Sequence, residues 1–218
     1  MRPEHRHGRL GPQALDGDEV LLEPVDPLGH RCAERRELHV AVAERRSEDD
    51  LAATHDVDAA IRRAARLGDC WYVNPHNRID TIVRQTEVYR NALAELGKPL
   101  PVEFPARREV FVAATRQEAF RRCAPHLAVK YAAYHQWGQD RAMPEGDDDL
   151  GQDFEELARD RFLIGSVDDV AEQIVRLHAE TGINHLVASM QAPGMPQAMV
   201  LESMTMLAEE VFPKVRAA

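Results

Sequence analysis

The chain has 218 residues, 44% hydrophobic and 29% charged, enough for one domain of ordinary size that buries its own core without disulfides or metals. A formal net charge of −10 argues against nucleic acid, whose binding draws on Lys and Arg to neutralise phosphates, and the eight Arg of residues 1–46 are offset there by nine Asp or Glu. No run approaches the ~18 apolar residues of a membrane span, and Met1 leads into charged and His residues, so the expectations are no membrane and a cytoplasmic location.

Three cysteines, Cys32, Cys70 and Cys123, are far apart and odd in number, which suits reduced thiols acting as small buried hydrophobes. Residues 1–56 mix Gly, Pro, Arg, His and acids, with neither helical nor strand periodicity sustained, and read as a loosely ordered N-terminal arm. Five of the ten histidines lie there, none at ligand spacing from a cysteine. No metal site is expected.

From Val57 the pattern becomes regular. Val57, Ala60, Ile61 and Ala64 recur on one helical face, with Gly68 placed to take a left-handed position after the helix. Cys70 to Val73 reads as a brief strand ending at Asn74 and Pro75. A longer helix carries Ile79, Ile82, Val83, Thr86, Tyr89, Leu93 and Leu96 at three-and-four spacing and ends at Gly97 and Pro99. Residues 108–114 read as a buried strand. A helix follows from Arg116 to Gly138, with a kink or restart expected at Pro125.

The segment from Gln139 to Glu156 is acidic and reads as a loop or an active-site lid, with Asp147, Asp148 and Asp149 solvated. Phe162 to Ile164 reads as a short strand, and Ser166 begins a helix closed by Gly182. Ile183 to Met190 forms the clearest strand, and the last helix buries Met199, Ser203, Leu207 and Val211. Strands alternating with helices in this order predict an α/β fold with a parallel sheet.

Two segments, AAIRRAARLGDCWYVNP at 59–75 and FLIGSVDDVAEQIVRLHAETGINHLV at 162–187, together with the closing helix MPQAMVLESMTMLAEEVF, resemble the luciferase-like monooxygenase family. The resemblance spans residues 57–218 and implies the C-terminal part of a (β/α)8 TIM barrel. It also implies oxidoreductase activity that uses reduced FMN or coenzyme F420 on a small organic substrate. Two departures accompany it. Where the family has a strand and a glycine turn before the first helix, this chain reads LAATHDVDAAI. A closed barrel needs ~250 residues, and only three clear strands and a fourth short one can be counted. The abrupt change at His55 and Asp56 is what a frameshift or truncation would produce. The alternative is therefore a non-catalytic truncated barrel that seeks a partner, in a homo-oligomer or with another chain.

The resemblance directs attention to strand ends. Trp71, Asn74 and His76 are candidate flavin contacts, an aromatic ring to stack and polar groups for the isoalloxazine edge, or else a core ring, a turn former and a helix-entry residue. Gly165 and Ser166 could bind an anion at a helix N-terminus, or serve only as a cap completed by Asp169. His126, Lys130 and Tyr134 share one helical ridge, which reads as a solvent or interface face or as a reach toward substrate. HExxH, CxxC, GxSxG and P-loop signatures are absent, which leaves cofactor-carried chemistry and assigns no catalytic residue.

Overall fold

The computed structural model describes residues 57–218. The expectations for residues 1–56, including the arm and the missing glycine turn, lie outside the described residues. Seven α-helices and three strands alternate: α1 (Val57–Leu67), α2 (Ile79–Glu95), β1 (Pro105–Val112), α3 (Arg116–Gln136), α4 (Phe154–Ala158), β2 (Leu163–Gly165), α5 (Val167–Thr181), β3 (His185–Ser189), α6 (Gln197–Met206) and α7 (Phe212–Ala217). One wide helical turn, Leu207–Val211, joins α6 to α7.

The sheet is parallel and β1 is its centre. Val110, Phe111 and Val112 pair with Leu163, Ile164 and Gly165 of β2, while Pro105 to Glu109 pair with His185 to Ser189 of β3. Cys70 to Val73 contributes only a bridge, Val73 to Ala106, because Val73 N–H and C=O bond Pro105 and Arg107 and the chain then turns away at Pro75.

Side chains alternate across a strand, and β1 uses its two faces differently. Ala106, Val110 and Val112 join Leu186 and Ala188 of β3 against the helices, in clusters that include Val170, Leu177, Leu207 and Val211. Arg107, Glu109 and Phe111 point the other way. There α3 covers the C-terminal half through Cys123, Leu127 and Tyr131 around Phe111, while β3 is only half-buried and Arg107 remains 37% exposed. Beyond the end of β3, Val112 N–H donates to Ser203 Oγ of α6 at 2.8 Å, so a donor that has run out of ladder is still satisfied.

Local details revise three expectations. Gly68 is not left-handed. It is required because a Cβ there would sit 2.9 Å from the Ala64 carbonyl oxygen. α3 does not restart at Pro125 but runs through it as one helix. Pro125 and Arg121 are both exposed, so water serves the carbonyl that proline cannot bond. Asp148 and Asp149 are exposed as expected, but Asp147 is not solvated and lies completely buried. Its carboxylate accepts the Arg78 backbone N–H at 3.2 Å and Arg161 Nη2 at 3.0 Å, tying the segment to the start of α2 and to the turn before β2.

Among the described residues, Cys70 and Cys123 are free, and burial pushes the Cys123 thiol up to about 12. No helix of the described residues is long and apolar enough to cross a membrane.

Both side chains of the Arg161–Asp147 pair are wholly excluded from solvent, so removing one partner leaves an uncompensated buried charge. Asp147→Ala should lower stability by about 3–5 kcal/mol in urea denaturation. A loss under about 1 kcal/mol would show that the pair is not a tether.

Candidate functional site

The polar residues of the open face of β1 meet two neighbours, the turn at 74–78 and the inner side of α3. Tyr134 follows Lys130 and Tyr131 by four and three residues on one helix, spacings that make its side chain a neighbour of both. Lys130 Nζ donates to Glu109 Oε1 at 2.7 Å, and Tyr131 OH lies 3.4 Å from the same oxygen. Arg107 Nη2 stands 4.0 Å from it and donates to Ser189 Oγ at 2.9 Å. Glu109 is completely buried, yet its second oxygen, Oε2, has no partner among the described residues.

His76 packs edge-on against the Tyr131 and Tyr134 rings, with centroids 5.6 and 5.4 Å away. The Gln139 side-chain amide donates to its Nε2 at 2.9 Å, which leaves the proton of the neutral ring on Nδ1. That Nδ1 is buried without a partner among the described residues. Burial, then the charges of Lys130, Arg107, Arg108 and Arg161, lower its pKa to about 4. The cations that keep His76 neutral include both that flank Glu109, so these residues share one electrostatic environment. Burial also raises the Tyr131 hydroxyl well above its ordinary value, and the Glu109 charge adds to that.

Two arginines hold the turn that carries His76. Arg108 Nη1 donates to the Pro75 and Asn77 carbonyls at 3.2 and 3.1 Å, and Arg161 Nε donates to the His76 carbonyl at 2.8 Å. Asn74 Oδ1 accepts the His76 backbone N–H at 3.0 Å, shaping the turn from its exposed side.

The other sequence candidates are placed elsewhere. Trp71 packs against Tyr89 and Phe104, with centroids 5.7 and 5.9 Å away, in the cluster between α1 and α2. Ser166 caps α5: its N–H and Oγ donate to Asp169 Oδ2 at 2.8 and 2.6 Å, and Asp169 N–H donates back to Ser166 Oγ at 3.2 Å. Asp169 already occupies the position an anion would take, and its carboxyl is held low by the Ser166 bond. A Cβ on Gly165 would lie 2.5 Å from Asp169 Cβ, so that glycine makes room for the cap. The predicted ridge divides, with His126 Nδ1 directed at the Pro193 carbonyl at 3.2 Å while Lys130 and Tyr134 join the His76 group.

Sequence reasoning missed Arg107, Arg108, Glu109 and Arg161. The signal was present in REVFVAA, since a strand buried on both sides cannot carry charges without partners.

The chain belongs to the luciferase-like monooxygenase family, whose model matches residues 39–185. Comparison with curated proteins finds no match. Among solved structures it is similar to the oxygenating constituent of 3,6-diketocamphane monooxygenase from Pseudomonas putida, a type II Baeyer–Villiger monooxygenase in complex with FMN. That similarity has 26% identity and a TM-score of 0.55, over 71% of this chain and 45% of that one. It is also similar to monooxygenase RslO1 from Streptomyces bottropensis, at 19% identity and a TM-score of 0.56, over 74% and 46% of the two chains. The coenzyme F420-dependent tetrahydromethanopterin reductase from Methanopyrus kandleri matches at 15% identity and a TM-score of 0.50, over 72% and 48%. The chain thus spans less than half the length of these proteins and corresponds to part of their fold.

The depressed pKa of His76 has a pH signature. As pH falls from 6.5 toward 4, the unfolded chain takes up the proton before the folded one does. The contribution of His76 to stability is therefore whole above about pH 6.5 and is lost progressively toward about pH 4. Relative to the unmodified chain, His76→Gln should flatten the stability profile across that window. Parallel profiles would mean the imidazole is not held neutral by the fold.

Proposed function

We propose that residues 57–218 form the C-terminal part of a luciferase-like barrel, and that the protein is a flavin-dependent oxidoreductase using reduced FMN or coenzyme F420 on a small organic substrate. The observation that carries this reading is the polar group on the open face of β1, where two buried atoms of opposite character, His76 Nδ1–H and Glu109 Oε2, have no partner among the described residues. Buried polar groups are ordinarily paired, so two orphans in one electrostatic group fit a ligand with donors and acceptors along its edge. The polar edge of an isoalloxazine is such a ligand, and the similarity to a monooxygenase solved with FMN supports that choice.

The fit is to the ring and not to the phosphate. His76 offers a donor, Glu109 an acceptor, Tyr131 and Tyr134 a wall, and Lys130 a cation that favours negative charge developing nearby. When bound, a reduced flavin or deazaflavin supplies the electrons of the redox step. Ser166, another expected cofactor contact, uses its donors within the α5 cap for which Gly165 makes room, and Trp71 packs on Tyr89 and Phe104. Asn74 holds the His76 backbone.

A second reading is favoured by β3, half-buried or exposed at every residue although it belongs to a parallel sheet. Parallel strands are ordinarily covered on both faces. On that reading this chain is non-catalytic alone and completes its site against a partner chain or a second copy.

The test is a thermal melt of the full chain alone and with saturating reduced FMN or F420. A ligand present at 100 times its dissociation constant stabilises the fold by about 2.7 kcal/mol, and the flavin reading expects one of the two cofactors to raise the midpoint by the shift that this stabilisation produces. If neither cofactor moves a cooperative transition, the flavin reading fails for this chain alone and the second reading stands.

A further inference from the structure

A second group of charges gathers around Arg108 and Arg161. A cavity of about 190 Å³ between α2, α3, β2 and α5 is lined by five arginines, Arg108, Arg116, Arg159, Arg161 and Arg176, against one acid, Asp160. Three of these arginines have carboxylate partners: Arg159 with Glu156 at 2.6 Å, Arg161 with Asp147 at 3.0 Å, and Arg176 with Asp160 and Glu180 at 2.6 and 2.7 Å. Arg108 and Arg116 have none among the described residues. Arg116 crosses the Phe120 ring, 4.9 Å from its centroid, and its charge also helps to hold the Asp169 carboxyl low, without an ion pair between them.

Arg108 is the unusual member. Its side chain is 1% exposed, Nη1 serves two carbonyls, and Nη2 has no partner among the described residues. A buried guanidinium with no ion pair of its own is costly even though the Asp147 charge acts on it from a distance, and orphaning one of its donors adds to the cost. Arg161, also buried, lines the same cavity and repels it. The buried carboxylate whose charge acts on Arg108, Asp147, bonds Arg161 and the Arg78 backbone. Two buried cations thus share one buried anion, and the wall between them opens into a cavity with three further arginines. Gln173 does not supply the missing acceptor, because its side-chain amide bonds both the N–H and the C=O of Ile164.

We propose that this cavity binds a phosphate-type oxyanion, as free phosphate or as the head of a phosphate monoester, with Arg108 and Arg161 at its floor and Arg116 at its mouth. Guanidinium groups suit this class because their planar donor array matches tetrahedral oxyanions. The ligand neutralises the excess buried charge and braces Arg108 and Arg161, whose other donors hold the carbonyls of Pro75, His76 and Asn77. Occupancy therefore stiffens the turn that carries His76, whether or not a flavin binds there.

The experiment is calorimetric titration of the full chain with inorganic phosphate and, separately, ethyl phosphate, at constant ionic strength, with chloride as the control anion. The expected result is saturable binding of one equivalent of phosphate and none of chloride. Arg116→Gln, at an exposed position that leaves the core intact, should weaken binding at least tenfold, and Arg62→Gln, outside the cavity, should leave it unchanged. Tighter binding of ethyl phosphate would assign the site to an ester, and tighter binding of phosphate to the free ion. Absence of saturable binding, or equal affinity in the unmodified chain and Arg116→Gln, overturns the proposal. Neither flavin nor turnover enters the readout, so failure here is distinguishable from failure of the flavin reading.

Discussion

The structure depends on burying charge inside a β-strand. Among the described residues β1 is the middle strand of the sheet and pairs on both edges, yet three of its eight residues are Arg107, Arg108 and Glu109. Each must find a counter-charge or a carbonyl, and the elements that supply these are held in place by doing so. Glu109 draws Lys130 and Tyr131 of α3 onto the sheet. Arg108 draws the 74–78 turn under it through two carbonyls, and Arg161 adds a third while bringing Asp147 and the acidic segment along. Apolar burial supplies most of the driving force in such a fold; the buried charges determine which segments converge, because leaving Arg108, Glu109 or Arg161 unpaired costs several kcal/mol, whereas Arg107 keeps a share of solvent.

That arrangement also leaves the polar face incompletely paired. Paired charges alone would be a structural tether, but the pairing is incomplete at Glu109 Oε2, His76 Nδ1 and Arg108 Nη2. The first two lie with the tyrosines of α3 on the open side of β1, and the third beside the arginine-lined cavity. The 74–78 turn joins the two places, carrying His76 on one side and accepting from Arg108 and Arg161 on the other. A ligand at either place therefore acts on a segment that both share.

Much of this fold was legible in the sequence where the cause was local. The α5 cap at Ser166 and Asp169 and its left-handed stop at Gly182 follow from residues a turn apart, and the apolar stripes marked α2 and α5 because periodicity reports the buried face directly. The site was less legible because its partnerships are distant in sequence. Lys130 was visible on a ridge with Tyr134, but nothing local says that the ridge faces Glu109, 21 residues earlier. Asp147 sits in an acidic run that reads as solvated, and its burial depends on Arg161 and Arg78, 14 and 69 residues away. Cys70 to Val73 has strand composition but forms a single bridge, since Asn74 and Pro75 end it before a second pair can form.

The central claim is that the Glu109–Lys130 pair couples β1 to α3 and so builds the polar face. A double-mutant cycle tests it most directly, comparing denaturant stabilities of the unmodified chain, Glu109→Gln, Lys130→Met and the double variant. The pair is short and nearly solvent-free, with side-chain exposures of 0% and 11%, so a coupling of about 1.5 kcal/mol or more is expected. Additivity within about 0.5 kcal/mol would contradict the claim, for it would mean that α3 packs on the sheet through its apolar residues alone.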